Sequence, residues 1–409
     1  MSSRHIAKGN ASGSITAPHS KSYAHRLLLA SFLSQAGNPG ETLTISGIEH
    51  SEDISATLDC IAALGGNAVY DNGTVSMGQC GTNPLHPVLN CRESGSTLRF
   101  FIPVALAMAT EATFTGTEKL LSRGISVYEK IFETQGICIT NRTPTSITIS
   151  GHLRSGYFQV EGNSSSQFIT GLLFALPLLE GNSIIDIIPP VQSRSYIDIT
   201  LDALNNAGIQ IEARENKLIV GGGQRYLGAN CSCEGDWSNA AFLDFFNHIG
   251  GAVIVGGLRE DSLQGDKVYK ELFEALESGF CTIDLSNCID LGPVLFTMAA
   301  IKHGALFTGT RRLRIKESDR VADMCAELSK IGAKAIIRED SVEIHSADIS
   351  SVPQDTICFE SHNDHRIAMS LSVLSTLFGA TVNGSEAVCK SYPGFYDDLA
   401  SLNIFSTKK

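Results

Sequence analysis

The chain repeats itself, and the period limits what it can fold into. Six times an apolar helix is predicted to begin on a small polar or charged cluster: Ser20-Lys21-Ser22, Glu93-Ser94-Gly95-Ser96-Thr97, Ser164-Ser165-Ser166-Gln167, Asp236-Trp237-Ser238-Asn239, Asp290-Leu291-Gly292 and Asn363-Asp364-His365-Arg366. Runs such as Leu172-Leu173-Phe174-Ala175-Leu176 follow, too apolar for a solvated face. A short strand comes next: Thr42–Gly47, Ala112–Gly116, Ser183–Ile188, Ala252–Gly256, Ala305–Gly309 and Ala380–Gly384. A second, amphipathic helix then stops at Gly65, Gly136, Gly208, Gly279, Gly332 and Asn403. The stops lie about 71 residues apart, except for about 53 between Gly279 and Gly332.

One such unit cannot bury its own helix faces, so six units imply a three-plus-three division. The predicted class is α/β (or α+β), with two similar domains of three strand–helix units each. Glycine-rich Gly221–Gly228 is the best boundary, which places residues 15–228 in one domain and 229–409 in the other. The strand before Ser14 has no helix pair of its own, so residues 1–14 are assigned to the C-terminal half. The fourth unit is the odd one. Its Gly279 is followed by Phe280–Leu285 alone, where the fifth unit runs a hairpin of Ala333–Ile337 and Val342–His345.

Helix starts are anion sites, because free N–H groups and the helix dipole both favour negative charge. The formal charge of −12 argues against nucleic acid, so basic residues are informative where they cluster, as in Arg311–Arg320. A solvated helix face is the competing reading of that run. Met1–Lys21 has no apolar core of a secretory signal, and no apolar run is long enough for a membrane span. Eleven cysteines without paired spacing read as reduced thiols, with Cys138, Cys281 and Cys325 in apolar surroundings. A cytoplasmic, monomeric protein is expected.

Several clusters carry chemistry or have a plain structural alternative. Lys21-Ser22 with Arg26 is either an anion site or a serine cap beside a solvated lysine. Ser164-Ser165-Ser166-Gln167 offers more hydroxyls than capping needs, and Ser193 and Tyr196 add polar groups before the next helix. Lys316 and Arg320 lie at i, i+4, on one face if a helix has begun, with Glu317 beside them; an ion-pair ladder is the alternative. Asp290 either caps the fifth helix or acts as a base. Arg366 and Lys390 can reach an anion, whereas His362 and His365 lack the neighbours of a metal site. Two anion-binding groups with a carboxylate base and acid suggest group transfer between phosphorylated small molecules, without metal or cofactor.

These residues, in this order, resemble the EPSP synthase family of enolpyruvyl transferases. The likeness runs from about Ser14 to Phe395, and Lys316-Glu317-Ser318-Asp319-Arg320 with Asn363-Asp364-His365-Arg366 are its most specific segments. It implies two domains of three repeats, an inside-out α/β barrel architecture, closing on substrates held between them. The implied reaction transfers the enolpyruvyl group of phosphoenolpyruvate to the 5-hydroxyl of shikimate 3-phosphate. By that resemblance Ser165, Ser166 and Ser193 hold the shikimate phosphate, with Lys21, Ser22, Arg26, Gln167 and Tyr196 around the same substrate. Lys21, Gly95, Arg123, Gln167, Arg320, Arg366 and Lys390 hold phosphoenolpyruvate. Asp290 takes the hydroxyl proton with Lys316 beside it, and Glu317 protonates the methylene. Two positions depart from the family's phosphoenolpyruvate loop, with Glu93 for asparagine and Ser96 for threonine. Glu93 opposes a bound anion unless it points away or pairs with Arg92. The related UDP-N-acetylglucosamine enolpyruvyl transferases are a rival, but they carry asparagine after the first lysine and a loop cysteine. Here Ser22 follows Lys21, and Leu120–Val127 has no cysteine. A non-catalytic phosphate sensor is the other rival, for which Asp290 and Glu317 would both be superfluous.

Overall fold

The computed structural model describes residues 2–37, 40–82 and 84–409. Its internal contacts divide the chain into Met1–Pro18 with Gly235–Lys409, and His19–Glu234. The fold is mixed α/β, each unit holding three strand–helix repeats around its own apolar core.

In the His19–Glu234 unit the three four-stranded sheets share one plan. Tyr157–Glu161 runs parallel to Ser183–Ile188, which is antiparallel to Lys217–Val220, and Ile211–Arg214 closes the edge as a hairpin. The parallel pair requires a crossover, and the apolar helix Ser166–Ala175 supplies it. Val88–Asn90, Glu111–Thr115, Ser146–Ser150 and Cys138–Arg142 repeat the order around helix Gly95–Met108. In the third sheet the entry strand is only Cys231–Ser232, parallel to Leu43–Ser46.

The other unit follows the same plan with two substitutions. Cys281–Asp284, Ala305–Thr308, Ser341–His345 and Lys334–Ile337 form a complete sheet. In the sixth repeat the hairpin is replaced by the chain's two ends, Ser3–Ile6 and Ser406–Lys408. The fourth repeat has only Ser12–Thr16 beside Ala252–Gly256. The strand after Gly279 is thus the entry strand of the next sheet, and the missing hairpin accounts for the short interval. All six predicted stops adopt positive φ, from +67° at Asn403 to +155° at Gly279, the region that favours glycine or asparagine at a helix end. One expectation fails: Cys138 is exposed, because it opens an edge strand. No helix of the described residues is long and apolar enough to cross a membrane.

The helices following the polar clusters are buried on every side. Phe100, Ile102, Val104, Leu172, Leu173 and Phe174 are each at most 1% exposed, and each such side chain stabilises by about 1.5–3 kcal/mol. Helices Gly95–Met108 and Ser166–Ala175 touch at Gly171, where an added Cβ would lie 2.3 Å from the Arg99 carbonyl oxygen and 2.4 Å from the Tyr128 hydroxyl. That hydroxyl donates to the carbonyls of Arg99 (2.6 Å) and Phe168 (3.0 Å), fixing the approach. Gly171→Ala is therefore expected to cost about 1–3 kcal/mol, read as a lower urea midpoint at unchanged m-value.

His25 is buried in the first apolar helix, its Nδ1 2.7 Å from Thr57 Oγ1 and its ring edge-on to Phe100. Burial, with Lys21 and Arg26 nearby, holds its pKa well below the ordinary value. The unfolded chain binds this proton near pH 6.5 while the folded chain does not, so stability falls as pH drops below about 6.5, by up to about 1.4 kcal/mol per pH unit from this group. Chemical denaturation between pH 7.5 and 5.5 should show a shallower loss in His25→Gln than in the wild type.

Candidate active site

Three helix starts of the Met1–Pro18/Gly235–Lys409 unit are tied together by two arginines. Helix Arg320–Ser329 begins only at Arg320, capped by Asp319. Residues Arg311–Ile315 form a 3₁₀ turn, and Lys316 is extended. Lys316 and Arg320 therefore do not share a helical face, contrary to the spacing argument; the link between turn and helix lets both reach Asp290 instead. Arg320 is 1% exposed. Its Nε lies 2.7 Å from Asp364, Nη1 2.9 Å from Asp290 and Nη2 2.8 Å from Glu317. Burial opposes the charge, but Asp364, Glu317 and Asp290 together push the guanidinium's pKa above its usual value.

Asp290 does not cap. It lies in the turn Ile289–Leu291, and helix Gly292–Ile301, with Pro293 in its first turn, begins without a side-chain cap bond. Its carboxylate accepts from Arg320, from Lys316 at 3.3 Å and from Arg366 at 3.1 Å. Arg366 also donates to Ser238 (3.1 Å), whose hydroxyl donates to Asp236, the cap of helix Trp237–Asp244. Asp364 caps helix His365–Ser375 while accepting Arg320. Lys390, 6% exposed, donates to the Asn363 carbonyl at 2.6 Å. The fourth, fifth and sixth polar clusters thus form one ionic network.

The His19–Glu234 unit is arranged differently. Lys21 is not solvated: its Nζ lies 2.7 Å from Asp53, in the first turn of helix Glu52–Ala63. The Ser20 hydroxyl accepts the Tyr23 N–H, so Ser22 is not the cap. Arg26 donates to the Ser22 carbonyl (2.6 Å), the Tyr196 carbonyl (3.0 Å), and Thr200 Oγ1 (2.8 Å), and lies 5.2 Å over the Phe100 ring. These partners are neutral, and burial brings the Arg26 pKa down to about 10. A buried guanidinium held only by dipoles has attraction left for an anion.

Gly95 opens the second apolar helix, and a Cβ there would meet the Arg123 guanidinium at 3.0 Å, so glycine admits that side chain over the turn. Gln167 bridges two helix starts: Nε2 donates to Ser96 Oγ (2.9 Å) and Oε1 accepts Arg99 (2.6 Å). Of the three serines, Ser164 is spent on the Glu161 carbonyl and Ser165 caps the third helix, while Ser166 is 7% exposed. Ser193 takes a left-handed backbone (φ +55°) at the start of helix Arg194–Asn206, and its hydroxyl does not cap. Arg92 pairs with Asp59 through Nε and Nη2, so it is engaged away from Glu93.

Asp53 and Arg99 carry these contacts without having been singled out in the sequence, and Asp364 was named there only as part of a cluster, with no role of its own. Asp53 has an ordinary signature, an acid in a first helical turn, and nothing local reveals its lysine 32 residues away. Removing the hub of the ionic network leaves buried carboxylates without their cation. Arg320→Met should cost about 3–5 kcal/mol in urea denaturation, several times the cost of removing an exposed pair such as Arg259–Asp261.

Comparison with known proteins identifies the family of the chain. The family model described as EPSP synthase (3-phosphoshikimate 1-carboxyvinyltransferase) matches residues 6–399. A Clostridium kluyveri protein named 3-phosphoshikimate 1-carboxyvinyltransferase is 39% identical, with 95% of each chain covered. One of the same name from Clostridium acetobutylicum is 37% identical, again over 95% of each. The solved EPSP synthase of Acinetobacter baumannii superposes with a TM-score of 0.78 over the whole of both chains; at 24% identity that likeness speaks for the fold.

Proposed function

The chain belongs to the EPSP synthase family, and from that premise we propose how its own residues carry the reaction. The activity is that of a 3-phosphoshikimate 1-carboxyvinyltransferase: the enolpyruvyl group of phosphoenolpyruvate passes to the 5-hydroxyl of shikimate 3-phosphate, and phosphate leaves. Residues 15–228 supply the shikimate 3-phosphate side: Ser165, Ser166 and Ser193 for the phosphate, and Lys21, Ser22, Arg26, Gln167 and Tyr196 for the rest. Residues 1–14 and 229–409 supply the acid–base groups. For phosphoenolpyruvate the proposed residues are Lys21, Gly95, Arg123 and Gln167 in the former, and Arg320, Arg366 and Lys390 in the latter.

In the addition step Asp290 accepts the 5-hydroxyl proton as the hydroxyl oxygen bonds to C2 of phosphoenolpyruvate, while Glu317 gives a proton to C3. In the elimination step the C2–O bond to phosphate breaks, the leaving phosphate carries off the proton held by Asp290, and Glu317, now a carboxylate, takes a proton back from the new methyl group. Asp290 is held by Arg320, Lys316 and Arg366, and an anion arriving beside it competes for Lys316 and Arg366. The observation that carries this reading is one buried guanidinium, Arg320, bonded to both the proposed base and the proposed acid. It fixes their separation, which is what proton transfer in a positioned pair requires.

The test is phosphate release from phosphoenolpyruvate by the purified chain, with and without shikimate 3-phosphate. Release should require shikimate 3-phosphate and fall by about 10²–10⁴-fold in Asp290→Asn and in Glu317→Gln. Binding of shikimate 3-phosphate without any turnover would instead identify a sensor. Full activity in Glu317→Gln would remove that residue from the mechanism.

A further inference from the structure

One cluster beside the ionic network takes no part in the chemistry described above. Glu327 lies two turns after Arg320 in helix Arg320–Ser329 and is 2% exposed. Its Oε1 is 3.0 Å from His362 Nε2, and its Oε2 accepts Lys330 Nζ (2.6 Å) and the Glu360 backbone N–H (2.9 Å). Asp323, one turn earlier on the helix, is 3.5 Å from His362 Nδ1. A carboxylate so buried is costly unless fully bonded, and here two of these bonds go to the segment that precedes helix His365–Ser375.

That segment is strained. His362 and Asn363 have φ of +51° and +56°, the only adjacent pair of non-glycine residues with positive φ among the described residues. Each such residue costs on the order of 1–3 kcal/mol and persists only where surrounding contacts impose it. The consequence of the conformation is local and specific. The Asn363 carbonyl is turned to receive Lys390 Nζ at 2.6 Å. The next residue, Asp364, receives Arg320 and the Arg366 backbone N–H. One helix therefore grips both ends of a tripeptide, Glu327 and Asp323 at His362, and Arg320 at Asp364.

We propose that Glu327 and His362 are positioning residues: the Glu327–His362 contact holds the left-handed turn that aims Lys390 and Arg366 at phosphoenolpyruvate. The inference rests on the assignment of Lys390 and Arg366 to that substrate.

Steady-state phosphate release at varied concentrations of each substrate tests it, with thermal melting to confirm folding. His362→Ala and Glu327→Gln should each raise KM for phosphoenolpyruvate on the order of tenfold, equivalent to about 1.4 kcal/mol, and leave KM for shikimate 3-phosphate within about twofold. His362→Asn, a residue type that tolerates left-handed backbone, should recover part of the loss. In a Lys390→Ala background Glu327→Gln should add little, because both changes act on one contact. Equal rises in both KM values with a lowered Tm would make the cluster merely structural and overturn the proposal, as would an unchanged KM for phosphoenolpyruvate in folded variants. If Lys390→Ala itself leaves that KM unchanged, the substrate assignment falls, and the positioning role with it. Should His362→Ala not fold, Glu327→Gln, which keeps volume and one acceptor oxygen, carries the same comparison.

Discussion

A single guanidinium, that of Arg320, is bonded to three carboxylates while 1% exposed. Taking any one of these charges out of water costs several kcal/mol, and removing one partner of such a set exposes that cost in full. The arrangement is tolerable because Arg320 offers donors in a rigid fork and each carboxylate comes from a different local element. Asp364 arrives as a helix cap, Asp290 from a 3₁₀ turn, and Glu317 from the link before the helix. The network is therefore more than a local ladder along one helix, the alternative that the i, i+4 spacing suggested. It joins segments far apart in sequence, and their mutual placement depends on it.

The repeats explain why the polar groups collect where they do. Helices such as Ser166–Ala175 and Gly292–Ile301 are buried almost throughout, which leaves little room for polar side chains except at their ends. Each of these helices crosses between two parallel strands, Tyr157–Glu161 with Ser183–Ile188 and Cys281–Asp284 with Ala305–Thr308. Their polar starts inherit the free N–H groups and positive dipole ends that favour anions. Repetition of one crossover thus supplies a set of anion-seeking helix starts in each unit, and divergence of the side chains decides what each start does.

The local parts of this architecture were legible. The helix stops took positive φ at all six expected positions, because a residue's tolerance of positive φ is its own property. Ser183–Ile188 and Ala252–Gly256 were read to the residue, because alternation and flanking punctuation are local too. What the sequence hid is long-range. The Lys21–Asp53 pair and the use of Asp290 as an acceptor for three cations depend on elements brought together only by folding. The helical face assumed for Lys316 and Arg320 failed for a related reason: Asp319 caps at a position that spacing alone does not distinguish from its neighbours.

The two units solve the burial of positive charge in opposite ways, and the difference has a functional meaning. Arg26 is bonded to neutral oxygens and lies over an aromatic ring, so its charge is underused and its pKa is depressed to about 10. Arg320 is surrounded by carboxylates and its pKa is raised. An underused cation suits a group whose task is to hold an anion, because binding adds the missing counter-charge with little rearrangement. A saturated cation cannot gain as much from another anion, but it fixes the carboxylates around it. Two of those carboxylates, Asp290 and Glu317, are the groups proposed to exchange protons, a task that depends on their geometry. Nearby Arg366 and Lys316 each share Asp290 with Arg320. Arg26 and Arg320 thus show two charge balances, one met by neutral oxygens and one by carboxylates, built on the same repeated plan.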